Sequence, residues 1–232
     1  MIFVLFTTNR LIWEKVRENF WLEKVVVDES AWFFDIYKKW AYILVDSSKD
    51  ETLFKKAMLY VYSEYDPDFM IFLSQWTRIS NEVKAWDVIL PNVFFEYSPL
   101  IEETELYKTN RDDFLKNPIF LENYSLQSDY DFESFWLSVW WICVSWEKWL
   151  NHSFETVEKL RIAYEADLYD EDSYWFLDEA KKLGIIDKTY VLSEIGWAED
   201  VGFSNLINIS HFLIGNLEWR DGEGDFEEDE DE

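Results

Sequence analysis

The chain has 232 residues, 49% of them hydrophobic, and its 48 acidic against 21 basic residues give a formal charge of −27. That length and apolar share suit a single domain with a substantial core. The charge excludes partners held along a phosphate backbone or an anionic membrane surface, because both need a basic footprint.

Residues 2–6 are a short unbroken apolar run, the pattern of a central strand, and Thr7, Thr8 and Asn9 follow as turn and N-cap residues before a predicted helix at 10–20. Residues 24–28 and 40–46, rich in Val, Ile and Tyr, are two more strand candidates placed to pair as neighbours. From 50 to 65 the apolar positions Leu53, Phe54, Ala57, Met58, Val61 and Tyr62 keep the three-four spacing of an amphipathic helix, closed by Asp66 and Pro67. Residues 69–74 read as a buried strand and 87–96 as another. Between 97 and 132 the pattern weakens into a polar segment with Pro99 and Pro118, read as loops and one short helix.

Residues 140–144 are a compact apolar run that stops at Ser145, Trp146 and Glu147, as a buried strand stops at a loop that carries polar work. A helix at 153–164 and a short strand follow. The cluster Asp170, Glu171 and Asp172 then stands where a helix N-terminus favours negative charge, and Gly184 supplies that helix's stop. Residues 189–195 are the last strand and 204–217 a terminal helix. Residues 221–232 hold nine acids, two glycines and a phenylalanine, too charged to bury a core. The expected organisation is one domain at 1–218 and a disordered acidic tail at 219–232. Strands alternating with helices predict an α/β class, a three-layer α/β/α sandwich around a mixed sheet.

The single cysteine, Cys143, lies inside an apolar run, cannot form an internal disulfide, and is expected to be a small buried hydrophobe. The apolar start lacks a basic region before it and a small-residue cleavage site after it, and no run reaches membrane-spanning length. The expected location is cytoplasmic. His152 and His211 have no partners at ligand spacing, and no glycine loop for a nucleotide is present, so neither a metal nor a cofactor is expected.

Two blocks carry a resemblance. In the first, Ser145, Glu147, Trp149, Leu150 and Asn151 follow a strand, and Asp170, Glu171 and Asp172 open a helix ending in Lys182, Leu183, Gly184 and Ile185. The second, upstream, is Lys84-Ala85-Trp86-Asp87-Val88-Ile89-Leu90-Pro91. In order and spacing they resemble the purine nucleoside phosphorylase and nucleosidase superfamily, most closely the methylthioadenosine/S-adenosylhomocysteine nucleosidases. That family's patterns are G-x-x-x-S-G-D-x-F-[IL], [DE]-M-E and K-x-G-D-[IV]-[IV]-x-P. The resemblance implies a nucleoside phosphorylase-like sandwich, a homo-oligomer, and a small-molecule nucleoside as ligand, with phosphate as co-substrate on the phosphorylase branch.

A purine nucleosidase must hold the base, clamp the ribose hydroxyls with a carboxylate, and protonate the leaving purine while water or phosphate attacks the anomeric carbon. By the resemblance, Ser145, Glu147, Trp149 and Leu150 are the base-binding candidates. Trp149 falls on the stacking aromatic, against the alternative of a core aromatic, and Leu150 offers its backbone. Glu171 and Asp172 are the ribose candidates. Glu171 replaces a methionine and Asp172 replaces the glutamate that receives the hydroxyls, against the alternative that this acidic run only charges a helix start. The catalytic acid is missing. The family's R-x-[IV]-S-D aligns with Ser193-Glu194-Ile195-Gly196-Trp197, which leaves Glu194, Glu199 and Asp200 as the nearby carboxylates. The N-terminal glutamate that positions the attacking water is absent too, since Thr7 to Ile12 occupies its segment. Two readings stay open: a divergent enzyme that cleaves an N-glycosidic bond, and a catalytically inactive nucleoside-binding or structural relative.

The departures from the family patterns share a feature. Trp86, Trp141 and Trp146 stand at family glycine positions, and the first glycine of the chain is Gly184. Ordinary usage would put roughly 13 glycines in the residues before it, whereas that stretch holds 12 tryptophans and none. One account is that these tryptophans come from UGA codons that some lineages read as glycine; the other is a Trp-rich divergent protein.

Overall fold

A computed structural model of the chain describes residues 1–25, 34–46, 51–80, 82, 84, 87–97, 118–121, 137–139, 141–145, 154–196 and 203–223. The elements run β1 (Phe3–Thr7), α1 (Arg10–Asn19), β2 (Glu23–Val25), β3 (Asp35–Lys39), β4 (Tyr42–Asp46), α2 (Glu51–Tyr65) and β5 (Phe69–Arg78). They continue through β6 (Val88–Leu90), β7 (Val93–Glu96), β8 (Ile119–Phe120), β9 (Leu137–Val139), β10 (Ile142–Ser145), α3 (Phe154–Tyr164), β11 (Leu168–Asp170), α4 (Ser173–Lys182), β12 (Thr189–Ile195) and α5 (Ser204–Glu223).

The described strands join in one mixed sheet. Its main path is β2-β3-β4-β1-β5-β11-β10-β7-β8, with β12 paired to β5 and β6, and β6 paired to β9. Strand alternation then decides the layers, because successive side chains leave a strand on opposite faces. Val4 and Phe6 of β1, Met70 and Phe72 of β5, and Val191 and Ile195 of β12 enter one core with Phe54, Ala57, Met58 and Val61 of α2 and Phe176, Leu177 and Ala180 of α4. Phe3 and Leu5, Ile71 and Leu73, and Tyr190 and Leu192 enter the opposite core, with Ile12 and Val16 of α1 and Leu206, Leu213 and Leu217 of α5. Val144 of β10 joins Leu160, Ala163 and Tyr164 of α3 in a third, smaller cluster. The result is the expected three-layer α/β/α sandwich, and the strands around 2–6, 69–74, 140–144 and 189–195 all belong to its one sheet.

Some expectations need correction. The strands near 24–28 and 40–46 do not pair directly, because β3 lies between them and pairs antiparallel with both. The strand expected at 87–96 breaks into β6 and β7 around Pro91 and Asn92, where proline cannot donate to a ladder. The terminal helix runs on past Leu217 to Glu223. Most of the segment 97–132, and residues 224–232 of the expected tail, lie outside the described residues.

The sheet feature that places the site is the length of β5. Its first part pairs parallel with β1 up to Phe72, and its last residues pair antiparallel with β11, Tyr169 opposite Thr77 and Leu168 opposite Arg78. Strands β1 and β11 therefore approach from opposite directions along β5. Their carboxyl ends face each other across residues 73–76.

Candidate functional site

At this meeting point β1 is followed by Thr8 and Asn9. Asn9 caps α1, its Oδ1 accepting from the Leu11 and Ile12 backbone amides at 2.9 and 3.4 Å. Its Nδ2 donates to Gln75 Oε1 at 3.3 Å, and Gln75 Nε2 donates in turn to the Gly196 carbonyl at 2.8 Å. One amide side chain so ties together the ends of β1, β5 and β12. Beside it, on neighbouring strands in register, the buried Ser74 and Ser193 hydroxyls lie 2.5 Å apart.

From the other direction come β10 and β11, which pair parallel with Ser145 opposite Asp170. Asp170 is buried. Its carboxylate accepts from the Ser145 hydroxyl, from the Ser173 hydroxyl and, at 3.1 Å, from the Ser173 backbone amide. Ser145 Oγ accepts in turn from the Tyr174 amide at 2.9 Å. Two of the amides left unpaired at the start of α4 are thereby satisfied from β10 and β11. Burial pushes the Asp170 carboxyl up to about 7, against the opposing pull of its serine hydrogen bonds, with Asp172 adding to the rise. Cys143, two residues before Ser145 on β10, is buried with its Sγ 3.8 Å from Asp170 Oδ1, and burial raises its thiol well above the ordinary range.

Asp172 is placed differently. It stands at the N-cap position of α4 yet makes no side-chain hydrogen bond to that helix's first turn. Instead its Oδ2 accepts from the Thr8 hydroxyl at the end of β1. The residue at the helix start is thus turned toward the meeting of strand ends, and the capping falls to Asp170 and Ser145.

Of the other sequence candidates, Glu171 lies between these two carboxylates, half-buried. Glu194 goes elsewhere: alternation along β12 sends it to the face opposite Ser193, where its Oε2 accepts from the Leu206 amide in the first turn of α5 at 2.9 Å. Burial raises its carboxyl and the amide lowers it. Its position is that of a buried helix cap on the side of the sheet away from Asp172. Glu147, Trp149, Leu150, Glu199 and Asp200 lie outside the described residues. Sequence reasoning assigned no site role to Asn9, Ser74, Gln75 or Ser193. The available signal was a polar residue at the end of, or inside, an apolar strand run.

Among the described residues no group of three His, Cys, Asp or Glu side chains is placed to hold a metal ion, and no helix is long and apolar enough to cross a membrane. His211 stacks its ring on Phe20, centroids 4.0 Å apart.

No protein-family model matches the sequence, and no curated protein matches it. Solved structures do match the fold. A futalosine hydrolase mutant of Helicobacter pylori strain 26695 superposes with a TM-score of 0.69 at 13% identity, over 94% of this chain and 97% of that one. The Campylobacter jejuni 5′-methylthioadenosine/S-adenosyl homocysteine nucleosidase gives 0.65 at 12% identity, over 92% and 96%. A mutant of the corresponding Helicobacter pylori nucleosidase, with 5′-methylthioadenosine in its active site, gives 0.65 at 12% identity, over 84% of each chain. The chain has the nucleosidase fold.

Proposed function

We propose that this chain, folded as a nucleosidase, binds a purine nucleoside where the ends of β1, β5, β10 and β11 meet, with Asp172 receiving the ribose hydroxyls. One observation carries the reading: Asp172 heads a helix that is already capped by Asp170 and Ser145, and its carboxylate points to Thr8 across the junction. A carboxylate that served only the helix start would bond to the first-turn amides. In this reading Ser145 supports this wall, Glu171 flanks the sugar, and Glu147, Trp149 and the Leu150 backbone are assigned to the base on the resemblance alone.

Cleavage would break the bond between the anomeric carbon and the purine nitrogen, form a bond from that carbon to a water or phosphate oxygen, and place a proton on the departing base. Glu194 is engaged as the cap of α5, so we assign the acid to Glu199 or Asp200, on the segment that begins where Gly196 is held by Gln75. The second reading, an inactive nucleoside binder, is favoured by Trp197 at the position of the family's catalytic aspartate.

Calorimetry with adenosine and adenine, on the wild type and on Asp172→Ala, tests the binding. The substitution should weaken adenosine by roughly 1–3 kcal/mol, the cost of losing a charged acceptor, and adenine by less. Equal loss for both ligands, or no binding of either, sinks the assignment. Adenine release from adenosine with and without phosphate then separates hydrolase, phosphorylase and inactive binder.

A further inference from the structure

Helices α1 and α4 end in the same way. After α4 the Gly184 amide donates to the Lys181 carbonyl at 3.1 Å and the Ile185 amide to the Ala180 carbonyl at 3.0 Å, with Gly184 at φ +74. After α1 the Trp21 amide donates to the Glu18 carbonyl at 3.3 Å and the Leu22 amide to the Arg17 carbonyl at 3.0 Å, with Trp21 at φ +53. These are the paired bonds of a Schellman helix end, whose turning residue is left-handed and is usually glycine. Trp21 occupies, bond for bond, the position of Gly184.

The hairpin between β3 and β4 repeats the anomaly. Lys39 pairs with Tyr42, so the loop is the two residues Trp40 and Ala41, and Trp40 has φ +51 while Ala41 is not among the positive-φ residues. Two-residue hairpin loops with a left-handed first residue take glycine there, because a Cβ crowds the following carbonyl. Neither indole is needed by the core: Trp21 is 69% and Trp40 76% exposed. They flank Lys39, whose Nζ lies 5.2 and 4.9 Å from the two rings, but exposed cation–ring contacts are weaker than the backbone strain they would have to offset.

We propose that residues 21 and 40 are glycine in the protein as its own host makes it, the two codons being UGA read there as glycine. The inference rests on the Schellman end and the two-residue hairpin at these positions, since positive φ alone is shared with Asp66, Glu165 and Phe203, and not on the nucleoside reading.

The deciding measurement is peptide mass on the protein isolated from its host. The tryptic fragments 18–24 and 40–49 should each be lighter by the difference between a tryptophan and a glycine residue, and tryptophan in either overturns the proposal. A recombinant chain carrying the tryptophans gives an independent readout. Trp21→Gly and Trp40→Gly should each raise Tm by about 2–4 °C over the corresponding alanine variants, which also delete the indole but keep the Cβ at positive φ. Glycine and alanine variants of equal Tm would show that the backbone there does not call for glycine.

Discussion

The Thr8 hydroxyl donates to Asp172 Oδ2 across a sequence separation of 164 residues, joining the end of the first strand to the start of α4. This bond holds a carboxylate that does not cap its own helix. Replacing Thr8 by valine keeps the shape and removes the donor, so adenosine affinity should fall by about 0.5–1.5 kcal/mol while thermal stability changes little. Isothermal titration beside a melting curve checks both halves, and an unchanged affinity would detach Thr8 from the site.

Ser145 accepts from Tyr174 and donates to Asp170 within a buried network. Ser145→Ala strands a buried amide and removes one of the carboxylate's donors, which should cost about 1–3 kcal/mol. Urea unfolding should show this as a lower midpoint with an unchanged slope.

The raised Asp170 carboxyl gives a pH dependence with a definite sign. Its folded value of about 7 lies above the ordinary 3.8, so between those values the folded chain binds the extra proton. Stability from this group is full below about pH 4 and is lost as pH rises through about 7, by an amount on the order of a few kcal/mol. Asp170→Asn, which keeps an acceptor for the Ser173 amide, should flatten the stability profile between pH 5 and 7. A slope equal to the wild type's would place the titration elsewhere.

Glu194 caps α5 from the far face of the sheet. Glu194→Ala should therefore cost about 0.5–2 kcal/mol of stability and leave adenosine affinity within error. A selective loss of binding or turnover in a variant of normal stability would return Glu194 to the active site.

Gly184 sits at φ +74 with open space around an added Cβ. Gly184→Ala thus measures backbone preference with no steric clash, and the expected loss is about 1–2 kcal/mol. A neutral result would remove the strain argument at the equivalent Trp21.

The elements with a strong local signal were legible in the chain. The run at 2–6, the three-four spacing at 50–65 and the strand at 189–195 correspond to β1, α2 and β12 because burial on one or both faces leaves a periodic record in residue order. The motif at 170–172 pointed to a helix start with carboxylates. What order alone could not separate was three acids in a row. Asp170 and Asp172 are chemically alike, two positions apart and both buried, yet one caps α4 and the other accepts from Thr8. That division depends on β5 being long enough to bring β1 and β11 head to head. The same holds for Glu194 and Ser193, adjacent in sequence and sent to opposite faces by the pleat once neighbours and helices cover both sides of β12. Sequence determined the elements whose burial repeats with a helix or strand period, and it did not show β3 or the break between β6 and β7, which depend on pairing with distant strands. The role of Asp172 was decided by a partner 164 positions away, and those of Asp170 and Glu194 by the strand and helix neighbours that only the folded sheet sets beside them.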